Sequence, residues 1–179
     1  MPVAPALSVD VLDRLKAQAR AEHTAMEAAL DLMGITSDTP QIVLVEDSDE
    51  SHDTVLEAVR LYGLPASLRR AGNGDECLAF LRRGGAERTA FVMMDLNTSG
   101  TDGREALRQI KADPLLEAIS VVVVTTSANP RDVDFCFQCG AHACRVKPIS
   151  YPDHLQMLTG LFDYWLVNVI EPTAHGLSS

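Results

Sequence analysis

What most constrains this chain is the alternation, from Gln41 onward, of short apolar runs with amphipathic stretches. Residues 42–45, 91–94 and 121–124 are almost wholly apolar, and weaker runs lie at 67–71 and 143–146. Helical patterns near 49–61, 75–82, 104–111, 131–139 and 153–167 separate and follow them. A strand that is apolar at every position must be covered on both faces, as in a parallel sheet flanked by helices. Five strands and five helices in strict alternation therefore predict an α/β chain with a doubly wound parallel sheet.

Upstream, residues 1–7 read as loose, and 8–34 read as an amphipathic helix. Leu12, Leu15, Ala19, Met26, Ala29 and Met33 fall on one stripe that needs another surface to bury it. The expected organisation is a helical extension and linker over 1–38, a main domain over 39–168, and a tail over 169–179. The chain carries 25 acidic against 15 basic residues, a net charge of −10, which opposes nucleic-acid binding by the bulk surface. No apolar run approaches the roughly 18–20 residues that span a bilayer, and no basic segment with an apolar stretch opens the chain. Neither nucleic acid nor membrane is therefore expected as a partner, and the expected location is cytoplasmic.

In a parallel sheet, functional groups gather beyond the carboxyl ends of the strands. Here the first run ends at Glu46-Asp47, the third at Asp95, the fourth at Thr125 and the fifth at Lys147-Pro148. Three carboxylates at neighbouring strand ends repel one another unless a cation sits among them, and their hard oxygens suit Mg²⁺. The Lys147 ammonium and the Thr125 hydroxyl add donors for an anion bound to that cation. The combination points to a phosphoryl group, with the central carboxylate, Asp95, as its acceptor.

These residues, with the segments 41–47, 94–97, 102–103, 124–127 and 146–148, resemble the receiver domain of two-component response regulators, in the family's order and spacing. The resemblance spans about Gln41 to Val167. It implies a flavodoxin-like fold with strand order 2-1-3-4-5. It also implies that Asp95 takes a phosphoryl group from a phosphohistidine on a sensor histidine kinase. By the same resemblance Asp47, Asp95 and the Asn97 carbonyl would hold Mg²⁺ directly, with Glu46 acting through water. Lys147 would pair with one phosphoryl oxygen and Thr125 with another. The Lys147–Pro148 peptide is expected to be cis, and Asn97 and Ser127 stand where the family tunes phosphoryl lifetime. Such a domain is a phosphoacceptor rather than an enzyme in the ordinary sense.

Segments 102–107, 110–114 and 124–127, with Phe162, Tyr164 and Trp165, resemble more narrowly the phytochrome-associated single-domain response regulators. That implies a phytochrome-type kinase as partner and a homodimer through the last helix or the face of the fourth helix, fifth strand and fifth helix. With no module after the fifth helix, output is expected through protein–protein contacts. Two departures stand out: Ser99-Gly100 where the family usually has proline nearby, and Cys144 where it usually has an aromatic switch residue. The string Cys136, Cys139, His142, Cys144 reads as reduced structural thiols rather than zinc ligands, because in this register the side chains need not converge. His23, on the amphipathic helix, reads as a solvated or packed side chain rather than a phosphotransfer histidine. The alternatives are a non-phosphorylated pseudo-receiver scaffold and a haloacid-dehalogenase-like phosphatase. The latter would want a second aspartate where Asn97 stands.

Overall fold

The computed structural model describes residues 40–63, 66–99 and 102–165, with the side chain of Trp165 excepted. All of them lie in the second of two units into which the chain divides, Thr39–Ser179. The expectations for the N-terminal helix, the linker, His23 and the tail fall outside the described residues.

Five parallel strands form one sheet: β1 (Gln41–Val45), β2 (Ser67–Ala71), β3 (Thr89–Met94), β4 (Val121–Thr125) and β5 (Ala143–Val146), in the order β2-β1-β3-β4-β5. Five helices alternate with them: α1 (Asp49–Tyr62), α2 (Gly74–Arg82), α3 (Gly103–Ala112), α4 (Pro130–Gln138) and α5 (Tyr151–Trp165). A short 3₁₀ turn, Gly85–Arg88, precedes β3. The expected architecture is the one observed.

Side chains alternate across a strand, and the core divides accordingly. Val43, Val45, Val92, Met94, Val121 and Val123 face one side, against Leu78 and Leu81 of α2, Leu107 and Ile110 of α3, and Cys136 of α4. Ile42, Leu44, Phe91, Met93, Val122 and Val124 face the other, against Val55, Ala58 and Val59 of α1 and Leu158, Leu161 and Phe162 of α5. Interior strands β1 and β4 are buried at every residue, whereas edge strands β2 and β5 are only partly buried. That is why their apolar runs are weaker in the sequence.

The helices start where side chains satisfy orphan amides. Ser48, Asn73, Asp102 and Asn129 cap α1 to α4, and Pro130 follows the last of these in the first turn, where its missing N–H costs nothing. Gly103 opens α3 for a steric reason. A Cβ there would stand 2.4 Å from the Asp95 carbonyl oxygen and 2.9 Å from the Leu96 Cα. The motif Asp102-Gly103 thus lets α3 lean directly on the end of β3. Of the aromatics named near the chain's last helix, Phe162 is fully buried, edge-on to Tyr62, and Tyr164 projects outward.

Candidate functional site at the carboxyl end of the sheet

Because the strands are parallel, their carboxyl ends share one edge, and β1 and β3, the neighbours at its centre, deliver the acids. The Glu46 amide donates a hydrogen bond to the Ala71 carbonyl, continuing β1, and the Asp95 amide donates one to the Val45 carbonyl, continuing β3. Lys147 arrives from the far edge, its amide donating to the Thr125 carbonyl at 2.7 Å. Residues 101 positions apart thereby meet. The Lys147 ammonium donates to Glu46 Oε2 at 2.6 Å and to Asp95 Oδ2 at 2.8 Å.

All three groups are withdrawn from water; the side chains of Glu46, Asp95 and Lys147 are 4%, 8% and 10% exposed. The remaining carboxylate oxygens are also met. Glu46 Oε1 accepts from the Ser48 amide at 3.0 Å, and Asp95 Oδ1 accepts from the Asn97 amide at 2.9 Å. Burial works against the charged Lys147, but its bonds to Asp95 and Glu46 outweigh that, and its pKa lies above the ordinary lysine value.

Asp47 stands apart. It is exposed, and its Oδ2 accepts from the Ser99 amide at 2.8 Å, a bond that holds its carboxyl below the usual carboxylate range. Among the described residues, no group of three or more His, Cys, Asp or Glu side chains is placed to hold a metal ion. The donor chemistry nonetheless fits a hard divalent cation. Glu46, Asp47 and Asp95 against Lys147 leave a charge of −2 (−3 + 1), while Arg70 and Asp49, bonded at 2.6 Å, offset one another. Hard oxygen donors with a residual double negative charge are what Mg²⁺ takes.

Thr125 is fully buried at the end of β4. Its hydroxyl accepts from the Ser127 amide at 3.2 Å and from Asn97 Nδ2 at 3.4 Å, long bonds that bring the expected Asn97 and Ser127 beside it. Ser127 in turn donates to Asp132 Oδ2 at 2.5 Å, and Arg104 reaches Asp132 Oδ1 at 2.9 Å. This chain ties the β4–α4 loop to α3. Thr125 is thus one hydrogen bond from Asn97, and Asn97 one from Asp95.

Two expectations need correction or refinement. No cis peptide bond occurs among the described residues, so Lys147–Pro148 is trans rather than cis. Trans is the lower-energy form for an X–Pro bond by about 0.5–1 kcal/mol, and the long lysine stem reaches both carboxylates from it. The cysteine string does not gather as a metal site, yet Cys136 of α4 and Cys144 of β5 are buried in the same apolar cluster. Burial pushes the Cys136 thiol up to about 12 and raises Cys144 as well, and all four cysteines are free thiols.

One residue at this edge escaped the sequence reading. Arg70, near the end of β2, donates from Nε to the Glu46 carbonyl at 2.8 Å and from Nη2 to the Asp47 carbonyl at 2.7 Å, besides its bond to Asp49. The available signal was a pair of arginines inside a five-residue strand, where apolar residues are the rule.

A family model for the response regulator receiver domain matches residues 42–159. The response regulator Rcp1 of Synechocystis is 33% identical over 147 residues, covering 79% of this chain and all of that protein. The probable methanogenesis regulatory protein FilR2 of Methanothrix harundinacea is 31% identical over 70% of this chain and 83% of its own length. Among solved structures, the Mn(2+)-bound form of Rcp1 superposes with a TM-score of 0.68 at 32% identity, over 73% of this chain and 96% of that one. The phosphorylated cyanobacterial phytochrome response regulator RcpA gives the same TM-score at 31% identity, over 72% and 95%.

Proposed function

The chain belongs to the response regulator receiver domain family, and from that premise we propose that Asp95 accepts a phosphoryl group from a phosphohistidine of a sensor histidine kinase. The observation that carries the reading is the buried Asp95 carboxylate, held at Oδ1 by the Asn97 amide and at Oδ2 by the Lys147 ammonium. A carboxylate so held keeps a fixed direction of attack, and phosphoryl transfer depends on positioning and charge stabilisation more than on covalent assistance.

In the transfer an Asp95 oxygen bonds to phosphorus as the phosphorus–nitrogen bond of the donor breaks. The bonding electrons stay with the imidazole, which takes a proton, and Asp95 becomes an acyl phosphate. Lys147 exchanges its contact with Asp95 for one with a phosphoryl oxygen. Thr125 gives up its long contacts with Asn97 and Ser127 to donate its hydroxyl to another. Asp47, Asp95 and the Asn97 carbonyl would hold Mg²⁺, with Glu46 acting through water, and the chemistry so supplied would be neutralisation of charge on the phosphoryl oxygens. Similarity to Rcp1 and RcpA favours a phytochrome-type kinase as donor. Exposed Phe137, Val146 and Tyr164, on α4, β5 and α5, favour output through a homodimer or another protein partner at that face.

Intact-mass analysis after incubation with acetyl phosphate tests the assignment. The expected result is a single added phosphoryl group with Mg²⁺, lost on chelation and in Asp95→Ala. Equal labelling of wild type and Asp95→Ala would overturn it.

A further inference from the structure

Arg70 sits one residue before the end of β2, paired in register with Leu44 of β1. Its neighbour Arg69 turns to the opposite face, where its guanidinium lies 4.1 Å from the Phe80 ring centre. Arg70 instead points toward the start of α1. There it spends one guanidinium on three acceptors: the carbonyls of Glu46 and Asp47, and Asp49 Oδ1 at 2.6 Å. Those two carbonyls lie just beyond β1, where the ladder no longer supplies donors, and the rigid planar fork replaces it.

We propose that Arg70 is a positioning residue for the divalent-ion site, fixing the backbone that carries Glu46 and Asp47 before an ion arrives. The inference rests on the metal-binding reading given above. It has a definite sign, because Arg70 acts on a cation in two opposed ways. As a positive charge beside the acids it weakens cation binding, so its removal through charge alone would tighten the site. As the clamp on the carbonyls of residues 46 and 47 it fixes the backbone from which the Glu46 and Asp47 carboxylates project. Its removal would then let the loop relax and loosen the site. Supporting groups of this kind commonly set metal affinity by 10–100-fold, and the clamp is inferred to be the larger of the two effects.

Mn²⁺ titrations of the unphosphorylated full chain, followed by electron paramagnetic resonance, decide it. Wild type is compared with Arg70→Ala and Arg70→Lys, and the melting temperature of each metal-free protein is measured alongside. The expected result is one Mn²⁺ per wild-type chain and a loss of about 10-fold in affinity in both variants. The lysine variant keeps the charge but not the fork, and it decides the matter should the alanine variant fail to fold. Equal or tighter binding in the folded variants, with or without a lower melting temperature, overturns the clamp alone. A wild type that binds no Mn²⁺ overturns the metal reading, and this inference falls with it.

Discussion

The two halves of the sheet's carboxyl edge are built from different interactions. On the β1–β3 side, Glu46, Asp95 and Lys147 are buried ions joined by bonds of 2.6 and 2.8 Å. On the β4–β5 side, Thr125 is held by contacts of 3.2 and 3.4 Å to neutral partners, and half of β5 is exposed. Charge-assisted bonds in a low-dielectric setting are short and expensive to break, whereas long neutral bonds exchange at little cost. In the proposed transfer the carboxylates of the acid half are therefore suited to stay in place, with the Lys147 ammonium alone changing partner, and the Thr125 half to rearrange afterwards. Cys144 belongs to the second half. A small buried thiol cannot act as an inward-swinging ring, which leaves the β4–α4 loop and the α4–β5 contact as the elements beside Thr125 that can rearrange.

The hardest blow to this contrast is Lys147→Met in metal-free protein. It leaves Glu46 and Asp95 buried without their cation, and breaking such a pair costs about 3–5 kcal/mol. Urea unfolding should show a loss of that size, and added Mg²⁺ should recover part of it. Next comes Gly103→Ala. Its Cβ would stand 2.4 Å from the Asp95 carbonyl oxygen, and forcing α3 away from β3 should cost about 1–3 kcal/mol. Labelling of Asp95 by acetyl phosphate should slow at the same time, since the displaced backbone is that of the proposed acceptor.

Asp132→Asn sharpens the other side. It weakens the tie from Ser127 to Arg104 while leaving every bond of Asp95 in place, so the lifetime of the phosphorylated form should change more than the stability does. Following the decay by intact mass, beside a melting curve, would show whether the two halves are separable. The smallest effect is a pH dependence. Burial and then the Lys147 charge lower the pKa of His154, whose ring is nearly enclosed, with Nε2 lacking a hydrogen-bond partner. A lowered histidine contributes stability in full above its unfolded value near 6.5, and that contribution fades as pH falls through the folded value. Melting temperatures from pH 8 to pH 5 should therefore fall less steeply in His154→Phe than in wild type.

Fold class was legible because burial is written locally. Valines at four successive positions in 121–124 can only be a strand covered on both sides, and the softer runs at 67–71 and 143–146 mark edges for the same reason. The residues gathered at the candidate site were legible as neighbours, since parallel strands end on one side and Glu46, Asp95, Thr125 and Lys147 each close a run. Their pairing was not. Nothing within a few residues of Lys147 says that its ammonium bridges Glu46 and Asp95, or that Asp47 turns instead to Ser99.

The sequence by itself determined the alternation of strands and helices, the apolar faces, and the chemical character of the strand ends. Only the tertiary structure decided that Arg70 grips the backbone of Glu46 and Asp47, that the Lys147 ammonium bridges Glu46 and Asp95, and that Cys136 and Cys144 share one buried cluster. Periodicity records which side of an element is buried, a property of neighbours along the chain. Hydrogen bonds across the carboxyl edge depend on the register and separation of strands whose residues lie 24 or 101 positions apart, and those are settled only when the helices pack and the sheet closes up.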